Sequence, residues 1–511
     1  MHSDNNAIPT WKLYNRPWYQ KLGLAIWNYI RNVGIMLWGV IKAIPFKIRD
    51  FVFWIGRGFR NLGIRFVKGD WRTKISYLIM GFGSFSRGPK QFLKGFLMLA
   101  VEALFILYMY FLGAYNLSML PTLAKQGVIE DEIGLIMGDN SLKILIFSVL
   151  SIIVILFFAY MWVYNTKDAY RTQKLVEQGK PLSSAKQQIN FALNDGYHVT
   201  VLTLPILGIL LVTILPLLCN ITIAFTNYDF FNDEYINPFH WNGFGAFADV
   251  FGKSYGTEIW GVLGWTLIWA VFATFSNFFF GMFLAMIINK KSIKLKAFWR
   301  TCFVIVIAVP DFVSLLMMSQ FFAWNNDMSQ TGAFNHILEQ WFGLNVNIDW
   351  LGGATYNPTM ARISVIIINL WRGMPFTMLS TYGILMNIPE ELYESSRIDG
   401  AGPVRRFISI TFPYIMFVMG PTLITTFTGN INNFNVIFFL TGGGPFLGTK
   451  ANSAGSTDLL VTWLYRMTVN STEPEYSHGA VIGIFTFIIS SFFALIVFNS
   501  SKSIKQEDTF Q

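Results

Sequence analysis

Charge is scarce in this chain. Only 13% of its 511 residues are Asp, Glu, Lys or Arg, about half the share a soluble domain carries. Cysteine is nearly absent. Cys219 and Cys302 are the two, both in apolar stretches, so they read as lone core thiols with no disulfide framework. The five histidines, His2, His198, His240, His336 and His478, show no metal-ligand spacing. No nucleophile–base cluster stands out, and no repeat period or low-complexity tract appears. No cleavable signal peptide is visible, because the basic N-terminal stretch lacks a compact apolar core followed by small residues. What the chain has in excess is apolar: 53% hydrophobic residues, including 50 Phe and 17 Trp. These are too many to hide in a soluble core, so the composition excludes disorder and points to one polytopic membrane unit.

Eight stretches are apolar enough to cross a bilayer, which needs about 20 residues each. They cover residues 96–117, 144–164, 199–224, 259–288, 303–322, 363–386, 413–440 and 481–498. The seventh is interrupted by Thr425-Thr426-Phe427-Thr428-Gly429-Asn430-Ile431-Asn432-Asn433. The expected fold is therefore all-α, a polytopic membrane protein with about eight spans. The net charge of +9 finds its explanation in topology. With the N-terminus inside, inside segments hold 16 basic residues before the first span, five in 165–198, five in 289–300, three in 387–411 and two at the C-terminus, which is 31 of 38. That asymmetry places both termini in the cytoplasm and removes the case for nucleic-acid binding.

Residues 1–95 form a separate basic, amphipathic region. Arg31, Lys42, Lys47, Arg49, Arg57, Arg60 and Arg65 recur among Trp27, Trp38, Trp54 and Trp71. Such helices lie among lipid headgroups. The alternative, an extra span near 22–46, would put Arg31 at the bilayer centre, at a cost of about 3 kcal/mol or more. The expected organisation is a membrane-interfacial region at 1–95, two spans with a basic loop at 96–198, and a six-span core at 199–511.

The inside loop after the sixth span reads Ile388-Pro389-Glu390-Glu391-Leu392-Tyr393-Glu394-Ser395-Ser396-Arg397-Ile398-Asp399-Gly400-Ala401-Gly402-Pro403 and continues to Ile410-Thr411-Phe412-Pro413. Pro389 starts a helix at its first turn, with Glu390 and Glu391 near the positive dipole end. Gly400 and Gly402 end it, and Pro403 opens a second short helix. This order resembles the EAA loop of binding-protein-dependent ABC importer permeases, with Ser395 and Ser396 in place of two alanines and Phe412 in place of a leucine. The resemblance implies that Glu394, Ser395, Ser396, Asp399, Gly400, Ala401 and Pro413 belong to a coupling helix that docks on an ATPase subunit.

From about residue 200 onward the chain is similar to the larger membrane subunit of maltose/maltodextrin importers. The matching segments include Asn369-Leu370-Trp371-Arg372-Gly373-Met374-Pro375, Asn432-Asn433-Phe434, Leu440-Thr441-Gly442-Gly443-Gly444-Pro445 and Ala454-Gly455-Ser456-Thr457-Asp458-Leu459-Leu460. One departure is large. The folded extracellular domain of that subunit is replaced here by a 34-residue connection, 225–258. The resemblance implies a type I ABC importer permease in a bacterial plasma membrane. It would pair with a second related permease, bind two cytoplasmic ATPase subunits, and receive an oligosaccharide, maltodextrin first, from an extracellular binding protein. No cofactor belongs to this chain, since ATP-Mg would sit on the partner ATPase. The chain itself is not expected to be an enzyme.

Spacing suggests where a sugar would bind. Thr426, Asn430 and Asn433 fall at i, i+4 and i+7, one face if the segment stays helical. Asn369, Arg372, Gly373 and Phe376 repeat the pattern on span six. Small polar residues on such faces also serve to pack helices, and spacing alone leaves both readings open. The resemblance implies substrate contact for both faces. Gly429 replaces an expected aromatic residue, which would widen the site. Arg372 replaces an apolar one, so it would bind a neutral sugar, read an acidic one, or pair with Asp311. The first is the favoured expectation.

Glu102 and Asp311 raise a second class, a proton-coupled secondary transporter. For Glu102 an interhelical hydrogen bond is the preferred reading. A membrane-embedded glycosyltransferase lacks a candidate catalytic cluster. The run Gly443-Gly444-Pro445-Phe446-Leu447-Gly448-Thr449-Lys450 lacks the Gly-Lys-Ser/Thr order of a phosphate loop and reads as a turn.

Overall fold

The computed structural model describes residues 18–500, apart from 89–90, 126–128, 132–133, 137, 234–235, 291, 328–330, 345–346 and 447–451. Expectations on the extreme termini, on His2 and on Leu447-Gly448-Thr449-Lys450 lie outside the described residues. Among the described residues the structure is mainly helical, as the composition implies, with one antiparallel ribbon pairing Ile129–Asp131 with Gly134–Ile136 and an isolated bridge between Thr226 and Trp241. The major helices are α1 Trp18–Lys68, α2 Phe92–Met119, α3 Ser141–Glu177, α4 Tyr197–Ile223, α5 Gly256–Asn289, α6 Lys296–Ala308, α7 Asp311–Phe321 and α8 Pro358–Met386. They continue with α9 Glu390–Ile398, α10 Pro403–Ile431, α11 Phe434–Leu440, α12 Leu460–Thr468 and α13 Tyr476–Ser500. Among the described residues, seven are long and apolar enough to cross a membrane: α2, α3, α4, α5, α8, α10 and α13. The pair α6 and α7 makes an eighth if counted as one span.

The described residues divide into two compact units, one from 18–114 with 150–208 and the other from 115–149 with 209–500. The first unit begins with α1, a single 51-residue helix that runs through Pro45 and extends about 77 Å at 1.5 Å per residue. It is not one of the seven span-like helices. Past it the chain folds back into a knot around Arg87. Asp70 caps the short helix Trp71–Ile75 by accepting from Thr73 N at 2.8 Å. The buried Arg87 guanidinium pairs with Asp70 at 2.7 Å and donates to Thr73 Oγ1 at 2.8 Å. From α3, Gln173 accepts from Asp70 N and from the Thr73 hydroxyl, and Asn165 accepts from Gly81 N. Glu102 in α2 accepts from Met80 N at 2.8 Å. It is a hydrogen-bonded acid, as preferred, but its donor is a backbone amide in a turn instead of a neighbouring span.

The second unit is organised around α5. Ile259, Val262, Thr266, Trp269, Ala273, Phe278, Met282 and Ala285 recur every three to five residues and are buried. The opposite residues Phe272, Phe275, Phe279 and Phe283 are exposed, an apolar surface suited to lipid or a neighbouring helix. α5 lies closely against α8. A Cβ on Gly281 would fall 2.8 Å from the Met374 carbonyl, so only a residue without one permits this approach. Trp265, Trp269, Leu315, Val365, Ile368, Val436, Ile437 and Leu440 form the core where α5, α7, α8 and α11 meet.

Several expectations need correction. The stretch 303–322 is not a straight span. It breaks at Val309 and Pro310, and α6 and α7 diverge by 93°, because proline cannot supply the amide that would continue α6. The segment 413–440 is likewise two helices, with α10 ending at Ile431 and α11 starting after Asn433. Pro403 opens a short helix, Pro403–Arg406, as expected, and it runs without a break into the rest of α10. A π-helical turn, Phe407–Thr411, lies just before Pro413, and another, Ile209–Ile214, just before Pro216. The wider turn makes room for a ring that would strike the carbonyl four residues back. Cys219 is buried as expected, but Cys302 on α6 is exposed. The Gly-Gly-Gly-Pro run is a turn, with Gly442 and Gly443 at φ +60° and +94°.

Gly81 is the tightest point of the first unit. Its φ is +82°, and a Cβ there would fall 2.1 Å from the Gly95 carbonyl oxygen. Gly81→Ala is therefore expected to destabilise by about 2 kcal/mol or more. Thermal unfolding of the purified protein checks this, and an unchanged midpoint would contradict the packing described.

Candidate functional site

A cavity of about 610 Å³ opens in the second unit, within the size range of small-molecule sites. Four structural pieces line it. α5 contributes Thr274, Asn277 and Phe278. The α6–α7 break contributes residues from Val306 to Asp311. α8 contributes Asn369, Arg372, Gly373, Phe376 and Thr377. α10 and its C-terminal break contribute Met419, Thr422, Leu423, Thr426, Gly429, Asn430 and Asn433. All eight residues singled out by spacing and resemblance on spans six and seven thus line one cavity. Asn433 reaches it by another route than expected, because it sits beyond the end of α10 and caps α11 through its side chain.

The wall is held by polar contacts. Arg372 clamps Asp311 with two bonds: Nε meets Oδ1, and Nη2 meets Oδ2 at 2.7 Å. Its Nη1 donates to Asn369 Oδ1 at 3.3 Å. The Asp311 carboxylate also lies in the first turn of α7, where the helix dipole favours a negative charge. Of the three partners considered for Arg372, the structure therefore shows Asp311. On the other wall, Asn430 Nδ2 donates to Thr274 Oγ1 at 2.9 Å, and Asn433 Nδ2 donates to Asn430 Oδ1 at 3.2 Å. A Cβ on Gly429 would meet nothing within 4 Å, so this position adds open volume.

Thr274 and Asn277 on α5 were missed by the sequence reading. They are three residues apart in a run of phenylalanines, which is the polar-face signal used for α8 and α10. The bend at Pro310 that brings Asp311 to Arg372 had no comparable sequence signal beyond the proline itself.

The loop after α8 is a helix–turn–helix. Pro389 occupies the N-cap of α9, one position earlier than expected, with Glu390 and Glu391 in the first turn. Glu394, Ser395 and Ser396 lie on α9, and Asp399 caps its end. Gly400 adopts φ +75° with open space where a Cβ would project, while Ala401 N returns to the Ser396 carbonyl at 2.9 Å. This is the left-handed C-terminal stop that glycine favours. Tyr393 OH bonds the Thr411 hydroxyl at 2.9 Å and ties α9 to α10. Ile398 and Val404 stay 87% and 71% exposed, so the loop presents apolar side chains beside its charges.

The family described as binding-protein-dependent transport system inner membrane component matches residues 277–505. The galactooligosaccharides transport system permease protein GanP of Bacillus subtilis (strain 168) is 33% identical over 436 residues, 84% of this chain and 97% of GanP. The maltodextrin transport system permease protein MalC of Streptococcus pneumoniae serotype 4 is 34% identical over 432 residues, 82% of this chain and 93% of MalC. The chain belongs to this permease family. Among solved structures, a bacterial alginate ABC transporter in complex with an alginate pentasaccharide-bound periplasmic protein matches 62% of this chain and 97% of its own, at 21% identity and a TM-score of 0.48. This permease is a multi-pass membrane protein. The matched family region contains all eight expected cavity residues and the whole loop 388–413, whereas Thr274 lies just before it.

The ion pair generates a prediction. Arg372→Leu leaves Asp311 partly buried and unpaired, and is expected to cost about 1–2 kcal/mol, less than a fully buried pair would because both side chains are about a third exposed. Adding Asp311→Asn should recover most of that loss. Thermal midpoints of the single and double variants in detergent check this; equal midpoints for wild type and Arg372→Leu would show that the clamp contributes nothing.

Proposed function

We propose that this permease forms the translocation path of an ATP-driven importer of neutral oligosaccharides, with maltodextrins first among them. The observation that carries the reading is the cavity wall: amides, hydroxyls and Phe376 surround it, and the one guanidinium among its described lining residues is neutralised by Asp311. Sugars ask for this mixture, since their hydroxyls need hydrogen-bond partners and their C–H faces need apolar contact. GanP and MalC are named for galactooligosaccharide and maltodextrin transport, which supports an oligosaccharide without choosing the linkage. An acidic sugar would call for a cation not already paired. The proton-coupled alternative loses support because Glu102 accepts from a backbone amide and Asp311 is clamped by Arg372.

Energy would come from outside the chain. Two cytoplasmic ATPase subunits carrying ATP-Mg would dock on α9, with a second related permease completing the path and an extracellular binding protein delivering sugar. The basic-residue asymmetry supports placing α9 and both termini on the cytoplasmic side. α10 leads straight from the α9 turn to Thr426, Gly429 and Asn430. A push on the loop would therefore tilt one wall of the cavity, the kind of rocking about a central site that alternates access.

Two measurements test this. In proteoliposomes with ATPase, partner permease and binding protein, maltotriose or β-1,4-galactotriose should stimulate ATP hydrolysis, while an oligouronate should not. Stimulation by the uronate alone would overturn the neutral reading. Gly400→Asp strains a φ of +75°, at a cost of about 1 kcal/mol, and puts a charge in the docking loop. It should leave membrane insertion intact and reduce ATPase co-purification at least severalfold. Normal co-purification with normal transport would remove the coupling role.

A further inference from the structure

Two amides in the cavity wall are each held in one orientation and left with one idle atom. Asn277 on α5 donates Nδ2 to the Ala273 carbonyl at 2.8 Å. That bond turns Oδ1 away, and this buried oxygen has no partner. Asn369, only 1% exposed, accepts from Arg372 Nη1 through Oδ1. Its Nδ2 is thereby turned from the guanidinium, and this buried nitrogen too has no partner. Neither amide can be flipped without placing oxygen against a carbonyl or nitrogen against a guanidinium. Native proteins rarely leave buried polar atoms unpaired, and each such atom calls for an explanation.

The asparagines marked by helical spacing are in the opposite condition. Asn430 is bonded at both ends of its amide, to Thr274 and Asn433. Asn433 is bonded at both ends as well, to Asn430 and to Val436 N. They build the wall, while the idle acceptor and donor belong to two other residues that line the cavity.

We propose that Asn277 reads the substrate. Its Oδ1 accepts a hydrogen bond from one sugar hydroxyl, and the Nδ2 of Asn369 donates one to another hydroxyl oxygen. An acceptor on α5 and a donor on α8, both from residues lining one cavity, suit sugar hydroxyls, each of which both donates and accepts. Gly373 fits the same account, because a Cβ there would fall 2.3 Å from Asn277 Nδ2. The absence of a side chain at 373 lets the Asn277 amide occupy its position. This inference rests on the oligosaccharide reading above and deepens it by adding a residue from α5 to the recognition surface.

The test is equilibrium binding of tritiated maltotriose, and of β-1,4-galactotriose, to the purified permease–ATPase complex without the binding protein. Asn277→Leu is expected to weaken binding of the sugar that wild type binds by about five- to tenfold, the loss of one neutral hydrogen bond. Gly373→Ala should weaken it to a similar extent while Asn277 stays chemically intact. On the Asn277→Leu background, Gly373→Ala should add little, because both act on the same contact. A purely structural role would shift thermal midpoints without this non-additive effect on binding. Dissociation constants within twofold of wild type for both single variants would overturn the proposal. Wild type binding neither sugar would instead sink the oligosaccharide reading, and this one with it.

Discussion

The second unit depends on one electrostatic constraint: in an apolar medium, neither an interrupted backbone nor a lone charge finds water to satisfy it. The Asp311–Arg372 clamp meets both needs at once. Pro310 ends one helix and starts another at 93°, and the carboxylate in the first turn of the new helix offsets its exposed amides. Arg372 on α8 neutralises that carboxylate and, through Nη1, fixes Asn369. Removing one member would strand the other. The break is tolerated because it lines a cavity instead of facing lipid, and the cavity exists because the break leaves room. Structure and site are therefore the same feature seen from two sides.

Around this clamp the small residues of α5 and α8 set distances. Gly281 brings the two helices into close contact, and Gly373 on the facing helix, next to the Met374 that Gly281 approaches, gives its space to the Asn277 side chain. The same absence of a Cβ thus serves packing at one position and the cavity wall at the other. Gly429 does neither and simply enlarges the chamber. What a glycine does here is decided by its neighbours on the facing helix.

The chain from loop to cavity is mechanically short. Gly400 reverses the backbone after α9, Tyr393 ties α9 to Thr411, and from Pro403 a single helix of 29 residues, about 43 Å long at 1.5 Å per residue, runs to the asparagines. The helix ends at Ile431, where Asn433 takes over as cap of α11. A displacement at one end has few soft joints to absorb it. The π turn at Phe407–Thr411 is the one local loosening near the loop, and it sits where Pro413 requires it.

By itself the sequence determined the medium, the number of spans to within the one that is bent, and the faces that turn inward. Those properties are local: apolar run length, the distribution of Lys and Arg, and helical periodicity over a dozen residues. It also determined the backbone course of the loop 388–413, whose Pro and Gly positions dictate its turns. The tertiary structure alone decided which polar groups satisfy one another. The spacing of Thr426, Asn430 and Asn433 suggested one face, yet the helix ends between the last two, and their amides are consumed by Thr274 and Val436. Arg372 had three plausible partners, and only the bend at Pro310 brings Asp311 within reach. Asn277 is one polar residue in a run of phenylalanines, and only helix packing sets Gly373 opposite it. Hydrogen bonds act over about 3 Å, and residues nearly a hundred positions apart meet at that distance only after the helices have packed.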